Sequence, residues 1–467
     1  MLTVCQGGGA VKSDWLGKNG IAWLLFLLTT LLPEGGLAWS EHPLISHPVI
    51  SSLAEVRDAK MVSAESLEAF LSAEGKRLEK ILAEEETWAR TNLAWYPPLP
   101  DSLTFRAEGG PDDLRRRFCH AIRVNPAVKF PLYLQLIPGE EQAGKPLLLP
   151  AAISFLRDTS DWDSTTFVGL KAGAMVRPLD VAVSATDEPD LLGLDIGLFT
   201  DNNTDFGKTY GFGRQPFGNP NLEYGSQAPF HMGFYHESPI IFYFAGFLKK
   251  TYPEYRIRLY KRLAQFAFES GHPYWGWRFT GMGLHYLADL AQPYHARALP
   301  GVSAPYAIWI NTLDMLGIGG PKADAVQLVS NRHTALEKFV QIILQRAYRQ
   351  EETGHPILAA LRSADAAPPY GDAVPRQVVA KQASERAEET DRILEECMPR
   401  QFVSDTAFEI GTSPERRQIV ERMMAEKGRT AIDRQILWVR ELLLPFASNA
   451  KSYVRAIINN PIRPVRP

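Results

Sequence analysis

Residues 285–296 read HYLADLAQPYHA, and this stretch constrains the chain more than any other. It sets His285, Asp289 and His295 into an otherwise apolar segment. Burying polar groups costs free energy unless each finds a partner, and a core helix gains nothing from them. A metal ion is a partner that needs these residue types. His285 and Asp289 are four positions apart, so on a helix they leave from one face. His295 would be rotated away from that face on an unbroken helix. Pro293 ends or kinks the helix just before it, which lets the chain turn and bring the second imidazole round. Gly281 and Gly283, one turn earlier, keep the backbone open to close approach.

A second segment, NRHTALEKF, repeats the spacing with His333 and Glu337, an economical half-site for zinc. A third, SQAPFHMGFYHES, carries His231 and His236 downstream of Asp201 and its Asn-rich loop. The glycines of 201–231 lack the strand-to-helix setting of a phosphate-binding loop. His120, His272 and His355 read as surface or core histidines.

The N-terminus adds a fourth donor set. Lys12 and Lys18 precede the apolar run IAWLLFLLTTLL (21–32), and the small residues Gly36 and Ala38 follow. This is the layout of a secretory signal over 1–38, too short for a membrane span, and it predicts an exported protein, periplasmic or secreted. Cleavage after Ala38 leaves Trp39 with a free amine, which can chelate an ion together with its own carbonyl and a nearby histidine. Cys119 and Cys397 then remain as the mature cysteines, and the absence of CxxC excludes a thiolate zinc ribbon. A net charge of -3 leaves no nucleic-acid footprint.

Helical periodicity runs from Val49 to about Asn92, over 253–292, and through most of the chain after about 322. Between 102 and 190 the runs FPLYLQLIP, KPLLLPAAISFL and PLDVAVSA are β-rich or irregular, broken by Pro, Gly and Asp. The fold expected is mostly α, with a zinc domain over 39–350, an irregular, partly β insertion at 102–190, and a C-terminal helical region at 351–467.

H-x3-D-x5-H with proline before the last histidine, then H-x3-E, downstream of a Trp-first mature chain, resembles the zinc-dependent phospholipase C/P1 nuclease family. The resemblance covers the N-terminus and roughly 195–345. It implies a helical domain with up to three zinc ions in a cleft that cleaves phosphate esters. Carried onto this sequence, it implies one zinc on His285, Asp289, His231 and an upstream aspartate, Asp201, with Asp195 as the alternative. Asp289 bridges to a second zinc held by Trp39 and an N-terminal histidine. His42 is preferred to His47, because Pro43 then starts a helix with Ile45, Val49 and Leu53 on one face. His295, His333 and Glu337 hold the remaining zinc, and Asp201 also orients or deprotonates the attacking water. The substrate expected is a phospholipid or other phosphodiester, with contact at a membrane surface. The alternatives are a single-strand nuclease, which needs aromatic stacking platforms, and a zinc-stabilised envelope protein without turnover. Phe199, Phe206, Tyr210 and Phe230 are candidate lining for either a phospholipid or a nucleic-acid pocket.

Overall fold

The structure, a computed structural model, describes residues 41–108, 113–220 and 224–459. Trp39 and the 1–38 segment lie outside the described residues. Helix accounts for 62% of the described residues and strand for 3%, so the mostly-α expectation holds.

The helix expected after His42 forms. Pro43 occupies its first turn, where the missing N–H costs nothing, and α1 runs Pro43–Ser51. Helix α2, Leu67–Asn92, starts at a Ser66 cap that accepts from the Ala69 amide at 3.2 Å. Strand β1 (Val62–Ser63) pairs antiparallel with β5 (Met175–Val176). Strands β2 (Tyr133–Leu136), β3 (Leu147–Leu148) and β4 (Thr166–Gly169) form one antiparallel sheet in the order β2-β4-β3. The partly β character expected between 102 and 190 is thus present.

Its C-terminal stretch differs from expectation. PLDVAVSA is a helix, α3 (Pro178–Ala185), followed by a single turn, α4 (Glu188–Leu191). Val181 and Val183 alternate as in a strand, but Leu179 to Ala185 are buried on every side except at Asp180. A helix enclosed all round carries no 3.6-residue polar stripe, so periodicity could not identify it.

The later helices are α5 (Ala228–His231), α6 (Pro239–Phe244), α7 (Pro253–Glu269), α8 (Pro273–Asp289), α9 (Pro293–Ala296), α10 (Ala304–Met315) and α11 (Gly320–Arg349). Near the C-terminus come α12 (Lys381–Cys397) and α13 (Arg429–Asn459). One hydrophobic core runs from Leu44 on α1 to Ile457 on α13 and takes in Leu103 to Val176, so the insertion and the C-terminal helices share it. Helix α8 is its axis, buried from Tyr274 to Asp289. It lies against α3 at Gly281, where a Cβ would come 2.2 Å from the Ala182 carbonyl oxygen. At Gly283 a Cβ would come 1.9 Å from the Tyr453 hydroxyl of α13. Cys119 and Cys397 are buried free thiols.

Candidate metal centre

The last turn of α8 carries His285 and Asp289. After Asp289 the chain turns through 290–292, and Pro293 opens the short helix α9 under a Gln292 cap that accepts from the Tyr294 amide at 2.6 Å. His295 therefore faces back toward the centre, its Nδ1–H donating to the His231 carbonyl at 3.1 Å. Proline separates the two imidazoles by starting a new helix rather than by kinking the old one.

Three groups of donors converge, with ligand atoms within 4.8 Å of one another: His42, His285 and Asp289; Asp190, His231 and His285; His295, His333 and Glu337. Asp289 Oδ1 lies 3.1 Å from His42 Nε2, and its Oδ2 lies 2.9 Å from His231 Nδ1 and 3.3 Å from His285 Nε2. One carboxylate thus touches both of the first two groups. His285 Nδ1–H donates to the Thr186 carbonyl at 2.8 Å, which leaves Nε2 turned toward the cluster. In the third group His333 Nε2 sits 2.6 Å from Glu337 Oε1 without hydrogen-bond geometry, and His295 Nε2 lies 4.0 Å from the same oxygen.

Of the residues proposed from sequence, the structure gathers His42, His231, His285, Asp289, His295, His333 and Glu337. Trp39 is outside the described residues. His47 is not in the cluster; its Nδ1 faces the Tyr348 hydroxyl at 3.4 Å. His236 donates to the Arg376 carbonyl at 2.8 Å.

Asp201 is a correction. It lies away from the cluster, accepting from the Gln215 amide at 2.9 Å and facing Arg214 at 3.6 Å, so it serves its own loop. Asp195, the alternative, is engaged by Arg256 and by the Tyr286 hydroxyl at 2.6 Å. Its Oδ2 stands 3.3 Å from His231 Nε2, so it positions that ring from behind. The carboxylate that joins His231 and His285 is Asp190, held by the Gln227 side-chain amide at 2.8 Å. Asp187 stands beside it, 3.7 Å from His42 Nδ1 and bonded by Trp162 Nε1 at 2.8 Å and Gln135 Nε2 at 3.1 Å. Both aspartates fell at the end of the segment assigned to the insertion. The sign that could have found them is TDEPDLLGLD (186–195), a run of acids among apolar residues that burial would strand without a cation.

The aromatic pocket lining, expected for either substrate, is a second correction. Phe199, Tyr210 and Phe230 are fully buried, and Phe206 is half-buried against Tyr210, so these rings belong to the core.

The electrostatics fit a cation. Imidazoles face the carboxylates of Asp190, Asp289 and Glu337. Burial alone lowers the pKa of His42 and His231, but the surrounding carboxylates outweigh it and raise them to about 9 and about 10. Burial, with the charge on His42, takes His285 well below its ordinary value, and burial takes His295 down to about 3. Burial also raises Asp190. Among the described residues, His295 Nε2 and His333 Nε2 are buried without a hydrogen-bond partner beside Glu337. Two buried imidazole nitrogens stranded beside one carboxylate are what a divalent ion satisfies. The donors are all imidazole and carboxylate, a set suited to zinc and to neighbouring first-row metals alike.

These assignments make a paired prediction. Asp190→Asn should strip metal from the His231–His285 group, whereas Asp201→Asn should leave metal content unchanged. Elemental analysis of the two variants decides it, and equal loss in both would return Asp201 to the site. Comparison with protein-family models, with curated proteins and with solved structures gives no match, so the centre is read from its own geometry.

Proposed function

We propose that this chain is an exported zinc-dependent phosphoesterase of the phospholipase C/P1 nuclease type, acting on a phosphodiester, with phospholipid as the preferred class. The observation that carries the reading is Asp289, which touches His42, His231 and His285 at once and so can serve two ions. His42, with Trp39 as its proposed neighbour, would hold one zinc; His231, Asp190 and His285 a second; His295, His333 and Glu337 a third. Bound zinc would supply Lewis acidity toward a phosphate oxygen and lower the pKa of its bound water toward about 7.

The chain's own groups prepare that chemistry. The Thr186 carbonyl selects the His285 tautomer, Asp195 holds His231, and Gln292 Nε2 donates to Glu337 at 3.2 Å. The carboxylate role given from sequence to Asp201, holding an ion and orienting the water, passes to Asp190.

A second reading has its own support. Every member of the three donor groups is buried, and five cavities found among the described residues are lined by none of them. That suits a sealed metal centre that stabilises an exported protein without turnover. Elemental analysis followed by hydrolysis of phosphatidylcholine and of single-stranded DNA, with and without chelator, separates the two. Zinc with chelator-sensitive turnover supports the enzyme, and zinc without turnover on any diester supports the structural centre.

Proton competition gives a further expected result. In the metal-free protein His42 and His231 hold their protons up to about pH 9 and about pH 10, and each proton must leave before the ring coordinates. Apparent zinc affinity should therefore climb steadily between pH about 6 and about 9. Competition against a chromophoric chelator measures it, and an affinity flat over that window would contradict these two ligands.

A further inference from the structure

Helices α6 and α10 break the rule that apolar side chains go inside. Helix α6 reads PIIFYF and buries none of its residues, and α10 buries only Ala307 and Ile310. Eight of the fifteen exposed large hydrophobics among the described residues fall between Ile240 and Ile318, which makes this one patch and not scattered exposure. Tyr243 is 83% exposed, Trp309 57% and Leu316 73%. Both helices flank one apolar groove of about 170 Å³, with Ile241 and Phe244 on one side and Ala307, Ile308 and Met315 on the other. Beneath α6 lies a small apolar cluster of its own, including Phe217, Met232 and Leu248, separate from the main core. The rims are thus mounted on a packed base, and their outward rings are an unpartnered surface.

Charge and composition say what covers it. Segment 239–250 contains Lys249 and Lys250 and no carboxylate. Segment 303–318 contains one carboxylate, Asp314, already paired with Lys322 at 2.8 Å. Lys249 Nζ stands 4.9 Å from the Phe242 ring, so cation and aromatic share one rim. Exposed Trp and Tyr over an apolar bed, with lysines at the margin, match the interface of an anionic bilayer, where rings settle at headgroup level and cations meet lipid phosphates. No helix among the described residues is long and apolar enough to cross a membrane, so such contact lies on the surface.

We propose that α6 and α10 form a docking surface for an anionic lipid bilayer. This stands apart from the metal reading, since no donor residue takes part. The groove wall nevertheless includes Arg297, two positions after His295, so a docked bilayer would sit on the side of the molecule that carries α9.

The test is co-flotation of the full chain with phosphatidylglycerol–phosphatidylcholine vesicles, comparing wild type with a Tyr243→Ser, Trp309→Ser double variant. Both proteins carry the same 21–32 run, so the difference between them reports the patch. Withdrawing two buried-on-docking rings should lower partitioning by at least about tenfold. Lys249→Glu with Lys250→Glu should lower binding to anionic vesicles and leave the weaker binding to pure phosphatidylcholine unchanged. Thermal melts check folding; Tyr243, Trp309 and Lys250 are exposed and Lys249 half-buried at the rim, so melts close to the wild type's are expected. Equal partitioning of wild type and a folded double variant would overturn the proposal. So would a wild-type dimer, seen by sedimentation velocity, that the double variant dissolves while neither protein binds vesicles; the patch would then be covered by a second copy.

Discussion

Asp289→Asn should remove more than one ion and nearly all hydrolysis. An outer-shell partner of a metal ligand is worth roughly 10- to 100-fold in affinity, so the loss of a shared ligand should exceed about 100-fold at both groups it touches. The amide keeps the shape but not the charge, and His42, His231 and His285 would then face the ion without their common counter-charge. Glu337→Gln should weaken only the group with His295 and His333, because Glu337 belongs to that group alone. Elemental analysis beside initial rates reads both variants. A full metal complement in Asp289→Asn would disprove the bridging role.

Gly281→Ala should be among the most destabilising single substitutions in the chain. The new methyl would meet the Ala182 carbonyl oxygen at 2.2 Å and the Ala185 Cβ at 2.7 Å, both rigid parts of α3. Overpacking of a filled core costs about 1–3 kcal/mol, and contact with backbone belongs at or beyond the upper end. Metal content should fall as well, because α3 leads straight into Thr186, Asp187 and Asp190, which hold or surround His285 and His42. Gly283→Ala provides the contrast. Its methyl would strike the Tyr453 hydroxyl at 1.9 Å, the far end of a side chain, and Tyr453→Phe should recover part of the loss. Melting temperatures of the two alanine variants and of the double variant measure this. A Gly281→Ala protein as stable as wild type would mean that α8 and α3 are not in close contact.

Much of the candidate centre was legible because a donor set suited to a metal leaves marks that survive in one dimension. His285 with Asp289 and His333 with Glu337 are helix-face pairs at four-residue spacing, and that spacing is local geometry. Pro293 announces a turn by removing an N–H, and Pro43 announces a helix start by its fixed φ, which is how His42 could be preferred to His47. The mostly helical character follows from the same periodicity. Asp190 and Asp187 left only the acid run 186–195 as a sign, since they precede His231 by a long loop and follow or belong to helices that are almost wholly buried. With no exposed face there is no polar stripe, and valines at alternate positions look like strand. Asp201 looked the part by position, but whether an aspartate meets an imidazole or its own loop depends on chain closure over a long separation. Local sequence alone therefore determined the donor types, the helical pairs and the turn that separates them. Only the tertiary structure decided which carboxylate completes the group, because Gly281 lets α3 lie against α8 and carries Asp190 and Asp187 in behind it.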